Sequence, residues 1–224
     1  MIKEIKPINP NTSHKNRHTL YLGGSGCGKS QAVISNPEIP CKGRIFLWDC
    51  SADHSGIHTE SRRKFLILIK KNIYKKAFRL AYCGNTPEEF DWLCRVIWAC
   101  LDGRYNTFFI VEELSHVCSS IAKATPHAAR LLNQGRKYGL VFHGVSQKPQ
   151  EISKTYFDQC ERKYIGRFRG ANAKRMASFL CGAVTAEDVE ALKPLQFYYD
   201  SGDVNKPLTL KNLSYTKPKG VEWV

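Results

Sequence analysis

The stretch YLGGSGCGKSQAVI, residues 21–34, passes from an apolar strand pattern through a glycine-rich turn into a helical pattern. Its centre satisfies GxxxxGK[ST] in full, the signature of a loop that cradles nucleotide phosphates. Glycines let backbone N–H groups curl around phosphate oxygens, the lysine reaches the β- and γ-phosphates, and the serine hydroxyl ligates Mg²⁺. A glycine-rich hairpin without a ligand is the alternative. The predicted residues of this ATP and Mg²⁺ site are Gly23, Gly24, Ser25, Gly26, Cys27, Gly28, Lys29 and Ser30.

Outward from this turn, short β-rich apolar runs alternate with longer helical patterns, as in βαβ architectures. The clearest helix is TPEEFDWLCRVIWACL, with Thr86 as N-cap, Pro87 at the first helical position and apolar residues at helical spacing. A later helix opens with Thr185 as cap and Asp188 three residues on. We predict an α/β fold with a mostly parallel central sheet flanked by helices. The predicted strands are 18–22, 44–49, 77–83, 107–112, 140–146 and 163–168.

The chain has 224 residues, a length that suits one sizeable core and is short for two. We therefore expect a single domain over 1–224, with a core at roughly 18–200 and a C-terminal strand or arm at 201–224. The nine cysteines are odd in number, lie scattered from Cys27 to Cys181 and form no CxxC pair, which favours reduced thiols over disulfides or zinc. No apolar run approaches the roughly 20 residues of a membrane span, and the N-terminal MIKEIKPINP lacks the apolar stretch of a signal peptide, so we expect a cytoplasmic protein.

An apolar strand pattern in TFFIVEEL, residues 107–114, ends in two adjacent carboxylates. Such a pair suits a metal-side acid followed by a water-activating acid. We predict that Glu112 completes the Mg²⁺ shell, mostly through water, and that Glu113 polarises the attacking water. Two solvated acids at a strand end are the alternative.

The segment NQGRKYGLVFHGVSQKPQEI, residues 133–152, places a basic turn before another apolar strand. Gln147 follows the end of that strand, where open α/β sheets present ligand-facing polar groups, and we predict that it senses the γ-phosphate. Arg136, ahead of Arg130, is the candidate for an arginine finger supplied to a neighbouring subunit. An ordinary strand-end polar residue and a solvated basic turn remain the alternatives. His143 lies mid-strand and is predicted to be a core histidine.

The order of these elements resembles the FtsK/HerA superfamily of DNA-translocating ATPases. The resemblance rests on the P-loop, a second strand closing in Asp49 (IFLWDCSADH), the acidic pair, and GRKYG leading into SQKP, and it spans roughly residues 18–200. Compact members of this size resemble the genome-packaging ATPases of tailless, membrane-containing double-stranded DNA viruses of the tectivirus type. The resemblance implies a RecA-like (ASCE) P-loop NTPase core that assembles into a ring, commonly a hexamer, around double-stranded DNA.

By position, the resemblance assigns phosphate and Mg²⁺ binding to Lys29 and Ser30, the second acidic motif to Glu112 and Glu113, and the sensor to Gln147. It implies ATP hydrolysis coupled to DNA translocation, and recruitment by a capsid-vertex or membrane protein at the packaging vertex. Aspartate is usual where this chain has Glu112.

A formal net charge of +14 predicts a polyanionic partner, because surface Lys and Arg attract phosphates at long range. A merely soluble basic protein is the alternative. The basic segments suited to gripping DNA phosphates without reading sequence are SRRKFLILIKKNIYKKAFR (61–79), RKYIGRFRGANAKR (162–175) and the tail around Lys217 and Lys219. Each is either a DNA contact or a solvated face.

Three other functions compete with a packaging motor. One is a filamentous-phage-type assembly or conjugation ATPase of the same superfamily, and another is a P-loop small-molecule kinase. The third is a basic DNA-binding capsid protein with an accidental glycine loop, which leaves three ordered motifs in one chain unexplained.

Overall fold

A ten-stranded sheet runs through the molecule in the computed structural model, which describes residues 6–180, 182–217 and 220–224. The strands are β1 (Thr19–Leu22), β2 (Arg44–Trp48), β3 (Gly56–Thr59), β4 (Phe78–Tyr82), β5 (Thr107–Val111), β6 (Leu140–Ser146), β7 (Arg162–Ile165), β8 (Gln196–Asp200), β9 (Thr209–Asn212) and β10 (Val221–Trp223). Their spatial order is β10-β3-β4-β2-β5-β6-β1-β7-β8-β9. The strands from β10 to β7 pair in parallel, whereas β8 and β9 pair antiparallel.

Helices lie on both faces of the sheet. They are α1 (Lys29–Ile34), α2 (Arg62–Asn72), α3 (Pro87–Cys100), α4 (Pro126–Gln134), α5 (Lys154–Gln159), α6 (Ala171–Phe179) and α7 (Ala186–Ala191). The central strands are buried along their whole length, as expected for parallel strands covered on both sides. One face packs against α2 to α7, and the other packs against α1. The predicted α/β fold with a mostly parallel sheet is confirmed.

Both predicted helix starts are confirmed at the level of their caps. The Thr86 hydroxyl accepts a hydrogen bond from the Glu89 backbone N–H at 3.2 Å, and Pro87 occupies the first turn of α3. Thr185 and Asp188 form a reciprocal capping box at the start of α7. These local signals succeed because a cap depends only on residues three apart in the chain.

His143 lies in the core, as predicted, with no exposed surface. Its Nδ1 receives the Tyr21 hydroxyl at 3.0 Å, and the Asn36 amide donates to the same hydroxyl oxygen at 2.6 Å. Burial lowers the pKa of His143 to about 3, so the ring is neutral and belongs to a structural network.

The C-terminal region, expected to be a strand or arm, contains two strands, β9 and β10. Residues 221–223 form β10, which pairs with β3 at one end of the sheet, and the His58 ring lies 5.3 Å from the Trp223 ring. β9 lies at the opposite end of the sheet, so the chain between them crosses from one edge to the other. Strands β3, β8, β9 and β10 were not predicted from the sequence. They are short and many of their side chains are partly or fully exposed, so they lack a clear apolar pattern.

The eight cysteines in the described ranges are free thiols. Cys181 lies outside those ranges.

Candidate nucleotide-binding site

Sheet order brings the three predicted motifs to one edge. β6 lies between β1 and β5, with Leu22 opposite Ser146 and Val111 opposite Gly144. Because parallel strands end at the same edge, the P-loop after β1, Gln147 after β6 and the acidic pair after β5 become neighbours.

The P-loop is held on both sides by backbone hydrogen bonds. The Gly23 N–H donates to the Ser146 carbonyl at 3.3 Å, and the Gly24 N–H donates to the Arg167 carbonyl at 2.8 Å. Gly28 has φ of 98°, and a Cβ there would lie 2.6 Å from a Leu195 methyl carbon. The turn therefore needs glycine at this position for both its backbone conformation and its close packing.

The Lys29 side chain is buried and its Nζ donates to the Gly24 carbonyl at 3.1 Å, within the loop that it serves. Cys27 points away from the pocket into the space beside Gly23 and Gly166, and burial raises the pKa of its thiol. Cys27 thus acts as a small filler under the loop.

A pocket of about 460 Å³ opens in front of the loop. It is lined by Ser25, Gly26, Gly28, Lys29, Ser30, Gln31, Asp53, Glu112, Glu113, Gln147, Pro194, Leu195 and Tyr215. Gly23, Gly24 and Cys27 shape the turn and do not line the pocket. The C-terminal part of the chain supplies one wall, and the Thr216 N–H donates to the Gln31 side chain at 2.7 Å. Tyr215 and Leu195 had no recognisable signal in the sequence. The Leu195 N–H donates to the Cys27 carbonyl at 2.9 Å, and the chain after β9 brings Tyr215 to the P-loop.

Glu113 and Gln147 are directly joined. The Gln147 amide donates to Glu113 Oε1 at 2.5 Å, and both side chains are half-buried. Glu113 has φ of 49° and ψ of 51°, a left-handed conformation that costs a non-glycine residue about 1–3 kcal/mol. The strained turn directs the two adjacent carboxylates to different neighbours, so Glu112 and Glu113 occupy distinct environments.

Glu112 is 6% exposed and its Oε1 lies 2.6 Å from His54 Nε2. Burial raises the pKa of the Glu112 carboxyl. Burial also opposes the charge on His54, but the hydrogen bond and charge of Glu112 outweigh it and raise the pKa of the imidazole. The two side chains therefore form a buried hydrogen-bonded pair.

Asp49, at the end of β2, holds the turn that carries His54. Its carboxylate accepts from the backbone N–H groups of Asp53 at 3.0 Å and His54 at 2.9 Å, and lies 3.2 Å from His58 Nε2. Burial raises the pKa of Asp49, but these hydrogen bonds and the nearby His54 together lower it below its usual value. Asp49 thus positions the turn and does not face the pocket.

Asp53 reaches the pocket from the same turn and lies near the Ser30 side chain. Burial and the charge of Asp49 raise the pKa of Asp53. Sequence reasoning identified neither Asp53 nor His54 as a site residue. The segment DCSADH carries both, and the available signal was a cluster of titratable residues directly after a buried strand.

Oxygen donors are the ligands that Mg²⁺ prefers, and Ser30, Asp53 and Glu112 supply them beside Lys29. Across the described ranges, no three His, Cys, Asp or Glu side chains converge on one metal position. The site therefore fits an ion that takes part of its coordination from phosphate and water, as Mg²⁺ does, rather than an all-protein cage.

The structure does not bring the two arginine candidates to this pocket. Arg136 lies in the 3-10 helix Gly135–Tyr138, before β6, and donates to the backbone carbonyls of Thr12 and His14. The seven residues of β6, roughly 23 Å of strand, separate it from the P-loop edge. Arg130 lies on α4 with its guanidinium 5.1 Å from the centre of the Trp98 ring.

The basic segments occupy different surroundings. The lysines and arginines at 62–76 are exposed along and after α2. In the segment 162–175, Arg162 pairs with Glu38, while the Arg167 backbone contacts the P-loop. Lys217 is exposed, and Lys219 lies outside the described residues.

None of the helices in the described ranges has the length and apolar character needed to cross a membrane.

Comparisons with known proteins find one relative by sequence and several proteins of similar fold. No family model matches the chain. The chain is 32% identical over 218 residues to protein P9 of Pseudoalteromonas phage PM2, covering 96% of both chains. Its fold is similar to that of the genome-packaging NTPase B204 of Sulfolobus turreted icosahedral virus 2 in complex with AMPPCP, with a TM-score of 0.69, 18% identity, and coverage of 90% of this chain and 99% of that one. VirB4 of Thermoanaerobacter pseudethanolicus gives a TM-score of 0.64 at 8% identity and 90% coverage of both chains.

The structural matches establish the RecA-like P-loop fold that the family resemblance implied, and the sequence match extends over nearly the whole chain. The chain belongs to the family of phage PM2 protein P9.

Proposed function

We propose that this protein is an ATPase that drives double-stranded DNA into a preformed viral capsid. The observation that carries the proposal is the Glu113–Gln147 hydrogen bond at the mouth of a complete P-loop. This bond joins the Glu113 carboxylate, which is suited to activating water, to the Gln147 amide. Gln147 follows β6, the strand that lies between β1 and β5. A phosphate-binding loop alone would not require that connection.

The residues around the pocket divide the work of phosphoryl transfer. Lys29 and the loop amides hold the phosphates, and Ser30, Asp53 and Glu112 hold Mg²⁺, which neutralises phosphate charge when it is bound. Glu113 orients and polarises the attacking water. Gln147 contacts Glu113 from the adjacent strand, so its position relative to the γ-phosphate affects the base directly.

The location of Arg136 supports a shared site in a homo-oligomeric ring, which we take to be a hexamer. Arg136 lies at the sheet edge opposite this chain's own P-loop, so it can complete only the pocket of a neighbour. A monomer would then lack the positive charge that stabilises the transferring phosphoryl group.

Double-stranded DNA, contacted without sequence preference, is the polyanion that the +14 charge favours. The neighbouring structures support this direction, since B204 is described as a genome-packaging NTPase and has been solved with AMPPCP and with ATP-γ-S. A capsid-vertex or membrane protein recruits the motor to the packaging vertex in the cytoplasm of the infected cell.

The test is ATP hydrolysis at high protein concentration, with and without double-stranded DNA. We expect DNA to raise the rate, and Lys29→Ala and Glu113→Gln to abolish it. Glu187→Gln, which removes an exposed carboxylate on α7, is the matched control and retains the wild-type rate. Turnover that ignores DNA and survives Glu113→Gln would refute the motor.

Mixing variants tests the shared site separately. We expect Arg136→Ala to be inactive alone and to recover part of the activity when mixed with Glu113→Gln, because a mixed ring contains some complete sites. Arg104→Ala, an exposed arginine at the same edge, is the control. Full activity of Arg136→Ala would exclude it as the finger while leaving the ATPase assignment intact.

A further inference from the structure

A second cavity, larger than the nucleotide pocket, lies on the far side of the helical layer. It measures about 780 Å³ and runs between α2 and α3, with one end against α4. Its floor contains Leu66, Ile67, Trp92 and Val96. Leu66 and Ile67 are 42% and 43% exposed, which is unusual for adjacent large aliphatic residues that could have packed inward. We call this cavity the α2–α3 groove.

The residues that line the groove follow helical spacing on both helices. On α2, Arg63, Leu66, Ile67 and Lys70 recur at intervals of three and four residues, so they share one face of the helix. On α3, Trp92, Val96 and Ala99 line the groove at the same spacing. Such a groove accepts side chains that themselves recur at helical spacing, as in helix-in-groove recognition.

The rim of the groove is basic. Arg63 and Lys70 flank the apolar floor on α2, and Arg95 flanks it on α3. In the described part of the chain, no ion pair joins these three residues to an acid, and no acidic residue lines the groove. Two carboxylates on α3 are already engaged, Glu89 with Arg62 and Asp91 with His127. The rim therefore keeps its positive charge for a partner.

We propose that the α2–α3 groove docks an acidic amphipathic helix of a partner protein. Apolar anchors at i, i+3 or i+4, and i+7 would fill the floor, and Asp or Glu on either side would pair with the rim. The 11 residues of α2 span roughly 16 Å, so a helix of about three turns covers the groove. DNA is a poorer occupant because phosphates gain nothing from an apolar floor.

A second copy of this chain fits the groove less well. The acidic helix α7 has exposed Glu187 and Glu190, but its apolar residue Val189 is fully buried within its own chain. An anionic membrane also fits less well, since membrane-binding helices insert a protruding apolar face, whereas this floor is concave.

The experiment uses the full chain and a fluorescein-labelled 14-residue helical peptide. The peptide carries Leu and Phe at i, i+3, i+4 and i+7, Glu at the positions that flank this apolar stripe, and Ala elsewhere. A scrambled peptide of the same composition has no apolar face. Fluorescence anisotropy at 0.15 M salt, roughly physiological ionic strength, measures both affinities. We expect the amphipathic peptide to bind at least ~10-fold more tightly than the scrambled one.

Two variants locate the binding. Ile67→Asp charges the floor and Arg95→Glu reverses the rim, and each should weaken peptide binding at least ~10-fold. Tyr74→Asp and Arg104→Glu change exposed residues outside the groove and should bind the peptide as the wild type does. Because both groove residues are exposed, the variants should fold, and unchanged thermal unfolding checks this.

Four outcomes would overturn the proposal. One is equal affinity for both peptides, and another is wild-type peptide binding by Ile67→Asp. A third is a smaller particle mass of Ile67→Asp by light scattering, which would make the groove an interface between copies. The fourth is a loss of binding to phosphatidylglycerol vesicles or to double-stranded DNA in Ile67→Asp while the variant still binds the peptide as the wild type does.

Discussion

Replacing His54 by leucine tests whether the His54–Glu112 pair stabilises the turn from Asp49 to His54, which carries Asp53. The two side chains are 1% and 7% exposed, and Nε2 and Oε1 are 2.6 Å apart. A hydrogen bond to a charged group contributes about 1.5–3 kcal/mol, and leaving a buried charge without its partner costs about 3–5 kcal/mol. We expect His54→Leu to lower the free energy of unfolding by about 3 kcal/mol. For a chain of this length, that loss corresponds to a Tm about 6–12 °C lower.

The assay is urea unfolding followed by tryptophan fluorescence and far-UV circular dichroism, without nucleotide or Mg²⁺. His54→Gln is the matched control, because the Gln amide retains a donor near the position of Nε2. A double-mutant cycle with Glu112→Gln should give a coupling free energy of about 2 kcal/mol. A loss below about 1 kcal/mol for His54→Leu, or additivity within about 0.5 kcal/mol in the cycle, would refute the reasoning.

Three further predictions concern the loop, the core and a helix cap. Gly28→Ala should lower the Tm and weaken binding of a fluorescent ATP analogue at least ~10-fold. The positive φ costs a non-glycine residue about 1–2 kcal/mol, and the new Cβ would meet Leu195. Equal Tm values for the variant and the wild type would contradict this prediction. Burial lowers the pKa of His18 to about 4, whereas its value in the unfolded chain is near 6.5. As the pH falls, the unfolded chain therefore binds the proton first, and the free energy of unfolding decreases by ~3 kcal/mol between pH 6.5 and pH 4. His18→Asn should flatten that decline in urea titrations, and an unchanged slope would count against it. Thr185→Ala should cost about 1 kcal/mol in urea unfolding, whereas Thr185→Ser, which keeps the hydroxyl near Asp188, should cost much less.

Features that depend on consecutive residues were predictable. Gly23 to Ser30 form a P-loop because the turn, the lysine and the serine lie within eight positions, and the structure folds them as β1, a turn and α1. The caps at Thr86 and Thr185 succeeded for the same reason. Gln147 and Glu113 were each predicted from the end of an apolar strand, but their direct hydrogen bond required β6 to lie next to β5.

Features that depend on several distant segments were not predictable. His54 meets Glu112 across 58 positions, and Asp53 reaches Ser30 only because Asp49 holds its turn. Tyr215 faces the pocket because the chain crosses the sheet after β9. No local pattern records these contacts, since each partner has an unremarkable neighbourhood in the sequence.

The sequence by itself determined the α/β class, the P-loop and its residues, the acidic pair and the excess of positive charge, because short-range geometry and composition are local properties. Only the tertiary structure decided which carboxylate faces which partner, that Arg136 lies at the opposite edge from this chain's P-loop, and that α2 and α3 leave an apolar groove with a basic rim. Strand order and helix packing set these distances, and they arise from burying the whole set of apolar faces at once.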